Sequence, residues 1–252
     1  MSLKDKRVVV TGGSRGLGLG LVEALVDQGA KVWVVARGAD DLAVVRARLG
    51  VETIVADVAD AAAARRIVTN VRPEVLVLNA GAIPGMGPID QISWADFTVT
   101  WETDVKAGLF WLQAALTLPM APGGRILVSS SGAAIQGSPQ SGGYAGAKRM
   151  LWLMVQYADA LAAQKNLGLK VQAIVLQQMV GGTSVGGAGA KAYALAQGVE
   201  PEAVLARFGA PLPPRSFGEH VVRILTDPQY DRALALGLKG DTGITMLDGA
   251  AA

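Results

Sequence analysis

The sequence contains no cysteine and a single histidine, His220. The first absence excludes disulfides, thiolate zinc sites and cysteine nucleophiles, and it suits a reducing compartment. The second leaves no multi-histidine metal cluster and no ordinary Ser-His-Asp triad with a choice of bases. Charge is also sparse. Asp, Glu, Lys and Arg make up 17% of residues and the net charge is only +2. No dense Lys/Arg run occurs, so nucleic acid is not an expected partner. Long apolar runs are missing as well. None approaches the roughly 18 residues of a membrane span, and the run after Lys4–Arg7 is too short for a signal peptide. The expectation is a soluble, cytoplasmic protein with no membrane partner and no metal.

What is present is apolar and short-ranged. Hydrophobic residues make up 51% of the 252, enough for the core of one α/β domain. Strand candidates are RVVVT (7–11), KVWVVA (31–36), ETIVA (52–56), EVLVLN (74–79), RILVSS (125–130) and KVQAIVL (170–176). Near-continuous runs of this kind suit strands buried on both faces. Segments with helical spacing separate them, and two longer helices are predicted around 95–118 and 142–165. Strand and helix alternating this often predicts a single-domain, doubly wound parallel sheet with helices on both faces, a Rossmann-type α/β fold over 1–252. The region 181–215 breaks the rhythm and is expected to be an irregular substrate loop with one weak helix. GITML (243–247) is expected as an edge strand.

The strongest local signal is VVVTGGSRGLGLGLVEAL. A strand runs into Gly12, Gly13, Ser14, Arg15, Gly16, Leu17 and Gly18, then into an amphipathic helix. Glycines let backbone approach a pyrophosphate, and the helix N-terminus favours its charge. Gly20 is expected to allow close packing of helix and strand. Farther along, Tyr144 and Lys148 stand at i and i+4, on one helix face. A phenol's ordinary pKa, about 10, is high for proton exchange near neutrality, and a nearby ammonium favours the phenolate. A serine at the preceding strand end can donate to a developing oxyanion.

The glycine spacing is Gly-x-x-x-Gly-x-Gly. It is followed in order by Ala56–Asp57, Asn79–Ala80–Gly81, Ser131, Tyr144-x-x-x-Lys148 and TGITMLDGA. On these motifs the chain resembles the short-chain dehydrogenase/reductase family over almost its whole length. Ser131, thirteen residues before Tyr144, is chosen over Ser129 and Ser130 by that family interval. Ser130 is expected to point to the other side of the strand.

The resemblance implies an oxidoreductase that interconverts a carbonyl and an alcohol. Tyr144 would be the general acid/base. Lys148 would ease its deprotonation and hold the nicotinamide ribose, and Ser131 would orient the carbonyl. It places Gly12, Ser14, Arg15, Gly16, Leu17 and Gly18 on the pyrophosphate. Asp57 and Val58 fall at the adenine, and Asn79, Ala80 and Gly81 at the adenosine ribose. Thr183 is a further cofactor contact. A homodimer or homotetramer through the long helices is also implied; Trp101, Trp111 and Trp152 lie there, in core or interface.

At the end of the second strand stand Ala36, Arg37 and Gly38, with no carboxylate for a ribose 2′-hydroxyl. Arg37, with Arg15, could instead pair with a 2′-phosphate, so NADP(H) is expected over NAD(H). Asp40 and Asp41 read as caps of the next helix. Two positions depart from the family. Asp104 takes the usual Asn place and is a candidate catalytic residue, or else a turn cap. Leu176–Gln177 replaces the usual Pro-Gly. Ile83, Pro84, Met86, 133–137 and 179–215 supply the expected pocket wall, with Met179, Tyr193, Leu195 and Phe208 as an apolar lid. Lys191, Arg207 and Arg215 read as solvated. The expected substrate is a small uncharged or apolar carbonyl or alcohol. The alternative function is a catalytically silent dinucleotide-binding sensor.

Overall fold

The computed structural model describes residues 1–118 and 120–247. The Asp248–Ala250 end of the TGITMLDGA motif, and the chain to residue 252, lie outside the described residues. Every expected strand is found within about a residue of its predicted limits: β1 (Arg7–Thr11), β2 (Lys31–Ala36), β3 (Glu52–Val55), β4 (Val75–Leu78), β5 (Arg125–Ser131) and β6 (Lys170–Leu176). Two further strands complete the sheet, β7 (Ala235–Lys239) and β8 (Gly243–Met246). The order is β3-β2-β1-β4-β5-β6-β7-β8, parallel except for the antiparallel β7–β8 pair. β8 is the expected edge strand. β7 carries no β-branched residue and was not expected.

The helices are α1 (Gly16–Asp27), α2 (Ala39–Leu49), α3 (Ala61–Val71), α4 (Trp94–Thr100), α5 (Lys106–Thr117), the short α6 (Ala133–Gln136), α7 (Tyr144–Gln164), α8 (Ser184–Gln197), α9 (Pro201–Ala206) and α10 (Pro214–Thr226). They cover both faces of the sheet, giving the doubly wound α/β architecture. On one face Leu21 and Leu25 of α1, Leu42 of α2, and Phe217 and Ile224 of α10 bury against Val8, Val10, Val34 and Leu127. On the other, Ile67 of α3, Trp111 of α5, and Leu151 and Trp152 of α7 bury against Val9, Leu76, Ile126 and Val175. Trp111 and Trp152 are therefore core residues. A buried Trp removes up to about 250 Å² from water, worth about 6 kcal/mol as an upper bound. Trp111 loses no polar partner in doing so, because its indole N–H donates to the Val58 carbonyl at 3.0 Å.

Three expectations are corrected by the packing. The run predicted as one helix over 95–118 is α4 and α5 joined through a π-helical turn, Trp101–Val105, which contains Asp104. The 181–215 segment is largely helical rather than irregular. Its glycines allow tight packing: a Cβ on Gly186 would collide with the Val180 carbonyl, and one on Gly189 would lie 3.1 Å from Met179. Gly20 serves helix–helix contact, not helix–strand contact. A Cβ there would collide with the Pro214 carbonyl, just as one on Gly218 would strike the Gly20 carbonyl. Arg215 is exposed, as expected; it pairs across the α1–α10 crossing with Asp27 and within α10 with Glu219. No helix among the described residues is long and apolar enough to cross a membrane.

Gly20→Ala is expected to destabilise the fold by about 1–3 kcal/mol, because backbone must yield to the new methyl. Gly187→Ala is the control. It lies within α8, and its added Cβ meets nothing within 4 Å, so a gain of up to about 1 kcal/mol is expected. Urea unfolding midpoints measure both. Equal midpoints for the two variants would contradict this account of the α1–α10 contact.

Candidate functional site

β1 delivers the chain to α1 on one face of the sheet, and β4 sends it toward α5 on the other. Between their carboxyl ends a crevice opens, as expected where the winding of a parallel sheet reverses. It forms one cavity of about 750 Å³ lined by residues of the glycine loop, the β4 and β5 ends, the start of α7 and the α8 segment.

The glycine loop forms its floor. Gly12 and Gly16 adopt φ values of +68° and +54°. A Cβ on Gly12 would lie 2.8 Å from the Ala80 Cα, and one on Gly18 would strike the Gly12 carbonyl. The loop thus packs against the β4 end without side chains between. Thr11 fastens the junction: its Oγ1 accepts from the Asn79 and Ala80 N–H groups at 3.0 and 3.1 Å. The Asn79 amide donates to the Gly12 carbonyl at 3.4 Å. α1 begins after an extended Arg15 with no side-chain cap and no acidic residue in its first turn. Its leading N–H groups therefore suit an anion, and Ser14 to Gly18 line the cavity.

At one end of the cavity lie Arg37, Gly38, Asp41, Asp57 and Val58. Asp57 accepts from the Ala59 N–H at 2.9 Å, which fixes the turn after β3. Arg15 and Arg37 are exposed. Asp40 and Asp41 do not cap α2 with their side chains. The cap residue is Gly38, and both acids sit in the first turn, where the helix dipole favours them.

At the other end the structure brings Ser131, Tyr144, Lys148 and Asp104 to one cavity wall. Ser131 ends β5, and its Oγ accepts from the Ala133 N–H at 3.2 Å. Ser130 turns away, as the strand alternation requires, and donates to the Lys148 carbonyl at 2.8 Å. Tyr144 opens α7. The preceding Gly143 is held by the Trp101 indole N–H, 3.0 Å from its carbonyl. Trp101 is thus neither plain core nor plain surface; it braces the start of the helix.

The Lys148 ammonium lies 5.6 Å from the Tyr144 ring centre and 2.9 Å from Asp104 Oδ2. Asp104 Oδ1 accepts from the Ala82 N–H at 2.8 Å. The side chains of Lys148 and Asp104 are 9% and 1% exposed. Burial works against the Lys148 charge. The Asp104 carboxylate, then Tyr144 and the hydrogen bond to Asp104, outweigh it and hold the lysine above its ordinary value.

The Leu176–Gln177–Gln178 segment replaces a Pro-Gly turn with side-chain ties. Gln178 donates to the Ala210 carbonyl at 3.1 Å and accepts from the Gly240 N–H, while Gln177 Oε1 accepts from Thr245 at 3.3 Å. Thr183 caps α8, accepting from the Gly186 N–H at 3.0 Å. Its methyl would lie 3.8 Å from a Cβ on Gly16, so it stands across from the glycine loop.

Ile83, Pro84, Met86, Ala133, Met179, Tyr193 and Phe208 line the remaining wall. Leu195 does not belong to the lid, because it is 87% exposed. Arg207 is exposed, as expected, and at the cavity rim it hydrogen-bonds to Gln197. Ser138 and Tyr193 share a 3.0 Å hydrogen bond that joins α8 to the loop before α7. Ser138 and Ser141 also line the cavity and were not anticipated. Their one sequence signal is that they fall between the β5 serine and Tyr144.

Residues 6–184 match the family model for short chain dehydrogenases. Over 184 residues the chain is 29% identical to galactitol 2-dehydrogenase of Agrobacterium fabrum, covering 69% of this chain and 70% of that protein. It is 34% identical to L-xylulose reductase of Homo sapiens over 106 residues, 42% of this chain and 43% of the reductase. The chain thus spans less than half the length of that reductase. Two solved structures share the fold. An NAD+-bound xylitol dehydrogenase gives a TM-score of 0.83 at 21% identity, covering 95% of this chain and 100% of the other. A variant of actinorhodin polyketide ketoreductase with NADPH gives 0.81 at 24%, covering 94% and 96%. With the family match running from before β1 into α8, and the sheet order, glycine loop and Tyr-x-x-x-Lys helix all in place, this chain belongs to the short-chain dehydrogenase/reductase family.

Proposed function

We propose that this chain is an NADP(H)-preferring oxidoreductase that interconverts a small uncharged carbonyl and its alcohol. The observation that carries the reading is the continuity of one cavity from the glycine loop to Ser131, Tyr144 and Lys148. The bound nicotinamide group supplies or accepts the hydride. In reduction the Tyr144 hydroxyl gives its proton to the substrate oxygen; in oxidation the same oxygen takes it back. Ser131 Oγ donates a hydrogen bond to that substrate oxygen as charge develops on it. The Lys148 ammonium holds the nicotinamide ribose and favours the tyrosine's deprotonated form.

Gly12, Ser14, Arg15, Gly16, Leu17 and Gly18 hold the pyrophosphate, with Thr183 facing them. Asp57, Val58, Asn79, Ala80 and Gly81 surround the adenosine. The NADP(H) preference is supported by the missing carboxylate at Ala36–Gly38 and by two exposed arginines, Arg15 and Arg37, beside the cavity. One domain carries both cofactor and substrate sites, with 181–215 as the substrate segment. Galactitol 2-dehydrogenase and L-xylulose reductase add sugars and polyols to the candidates. A homodimer or homotetramer is supported by exposed Trp94, Leu109 and Tyr157 on α4, α5 and α7. A cytoplasmic setting accords with the absence of cysteine. The second reading, a catalytically silent dinucleotide sensor, is favoured by one observation: Asp104 already occupies the Lys148 ammonium.

Nicotinamide absorbance across a panel of ketones, ketoses, alcohols and polyols, with each cofactor, tests the reading. Turnover is expected, and Tyr144→Phe should lower kcat by at least about a hundredfold with cofactor binding retained. Tight binding without turnover across the panel would favour the sensor, and undiminished turnover in Tyr144→Phe would remove the acid/base assignment. Arg37→Asp should weaken NADPH by tenfold or more, about 1.4 kcal/mol, and leave NADH much less affected. Dissociation constants from cofactor fluorescence check this, and equal losses for both cofactors would contradict the phosphate role.

A further inference from the structure

The buried acid–base pair beside Tyr144 has a geometry that goes beyond a general preference for a polar residue in the π-turn. Asp104 is held from two directions. Its Oδ1 takes the Ala82 N–H at 2.8 Å, and its Oδ2 faces Lys148 Nζ at 2.9 Å. Space for the carboxylate depends on Gly81, where a Cβ would stand 2.9 Å from Oδ2. The carboxylate is 1% exposed, and Oδ2 accepts no aligned hydrogen bond besides this ion contact. The lysine is also buried, with its side chain 9% exposed. Among the described residues its other neighbours are the Ser129 carbonyl, at a long 3.5 Å, and the Tyr144 ring.

We propose that Asp104 is a positioning residue: its carboxylate is the built-in counter-ion that fixes the Lys148 side chain and keeps it charged inside the cavity. This rests on the reading of Tyr144 and Lys148 as the working pair. An amide in the same place offers dipoles but no charge, so a lysine this deeply buried would keep only Tyr144 against burial. Burial favours the neutral amine, and buried lysines shift downward by several pH units when nothing opposes it. The charged and titratable groups acting on Lys148 are Asp104 from the π-turn and Tyr144 from its own helix. β5 contributes only the Ser129 carbonyl, and the neighbouring Arg149 turns instead onto Trp152.

The sign follows directly. With Asp104 present, Lys148 is held above the ordinary lysine value, so it stays charged well into alkaline solution. Without the carboxylate, the charge is lost at lower pH. The consequence for turnover lies on the alkaline limb. An enzyme that needs the Lys148 ammonium keeps working at high pH with Asp104 and fails earlier with Asn.

The test is a 13Cε-lysine NMR titration of the full chain, with Lys148 assigned by its disappearance in Lys148→Met. In the unaltered protein the Lys148 signal is expected to titrate above the exposed lysines. In Asp104→Asn it should move down by at least about two pH units, while the other lysines, reporting an intact fold, do not move. An unchanged Lys148 midpoint in Asp104→Asn overturns the proposal. So does a Lys148 signal below the exposed lysines in the unaltered protein, which decides the matter even if Asp104→Asn does not fold. The pH dependence of kcat/KM for alcohol oxidation separates this from the functional reading. An alkaline limb that falls with the NMR midpoint supports both. An NMR shift without a change in the limb leaves the counter-ion standing and removes Lys148 from turnover. An unchanged NMR midpoint with an inactive Tyr144→Phe does the reverse.

Discussion

The carboxyl ends of β1 and β4 lie side by side, and the chain leaves them toward opposite faces of the sheet. No helix can cover the gap between them, so a crevice remains. The contacts of the site depend on that gap staying narrow. Gly12 touches the backbone of Ala80, Gly18 touches Gly12, and Thr11 Oγ1 collects two N–H groups from the β4 end. A side chain at any of these glycines would pry β1 and β4 apart or fill the crevice. The same closeness aims the α1 N-terminus into the cavity, where its unpaired N–H groups favour an anion. It also sets Asn79, Ala80 and Gly81 along the wall. The Ser131, Tyr144 and Lys148 group then stands at a fixed remove, because β5 pairs with β4 and α7 packs on both β5 and α5.

Within this frame the electrostatics are concentrated in a few atoms. Most ion pairs among the described residues are at the surface, such as Lys106–Glu102 and Arg48–Glu23, and each contributes at most about 1 kcal/mol. The Lys148–Asp104 pair differs in kind. Enclosing two charges costs several kcal/mol per ion, and breaking such a pair by removing one partner commonly costs about 3–5 kcal/mol. A structure gains little stability from such a pair relative to an apolar one. Its presence beside the proposed acid/base therefore points to charge placement rather than to folding. Burial of Lys148 also strengthens its field at the Tyr144 ring, 5.6 Å away, because the surrounding dielectric is low.

Much of this was legible in the sequence, for identifiable reasons. Strands such as VVVT and VLVL are short β-branched runs buried on both faces, and their periodicity cannot suit a surface helix. The glycine spacing and the i,i+4 pair of Tyr144 and Lys148 are local features, so the site around them could be read ahead of the fold. The strand β7 was missed because ALGLK has no β-branched residue, and its alternate leucines are separated by Ala and Gly rather than by polar residues. Gly237 is there because Gln177 and Thr245 crowd it. The first half of α8 was read as irregular because SVGGAGA has the composition of a loop, yet its glycines admit the Val180 carbonyl and Met179. The role of Gln177 and Gln178 was hidden because their partners, Ala210, Gly240 and Thr245, are distant in sequence. Asp104 was singled out in the sequence, but its direct pairing with Lys148 depends on the π-turn and on Gly81. Neither has a signature in composition or period.

The most direct test of the account is a crystal structure of the protein with NADPH. The account predicts the pyrophosphate on the first turn of α1 and the 2′-phosphate at Arg37. It also predicts the nicotinamide ribose within about 3 Å of Lys148 Nζ, with Asp104 still paired to the same ammonium. Density showing the cofactor outside the crevice, or its nicotinamide end turned away from Tyr144 and Lys148, would contradict it.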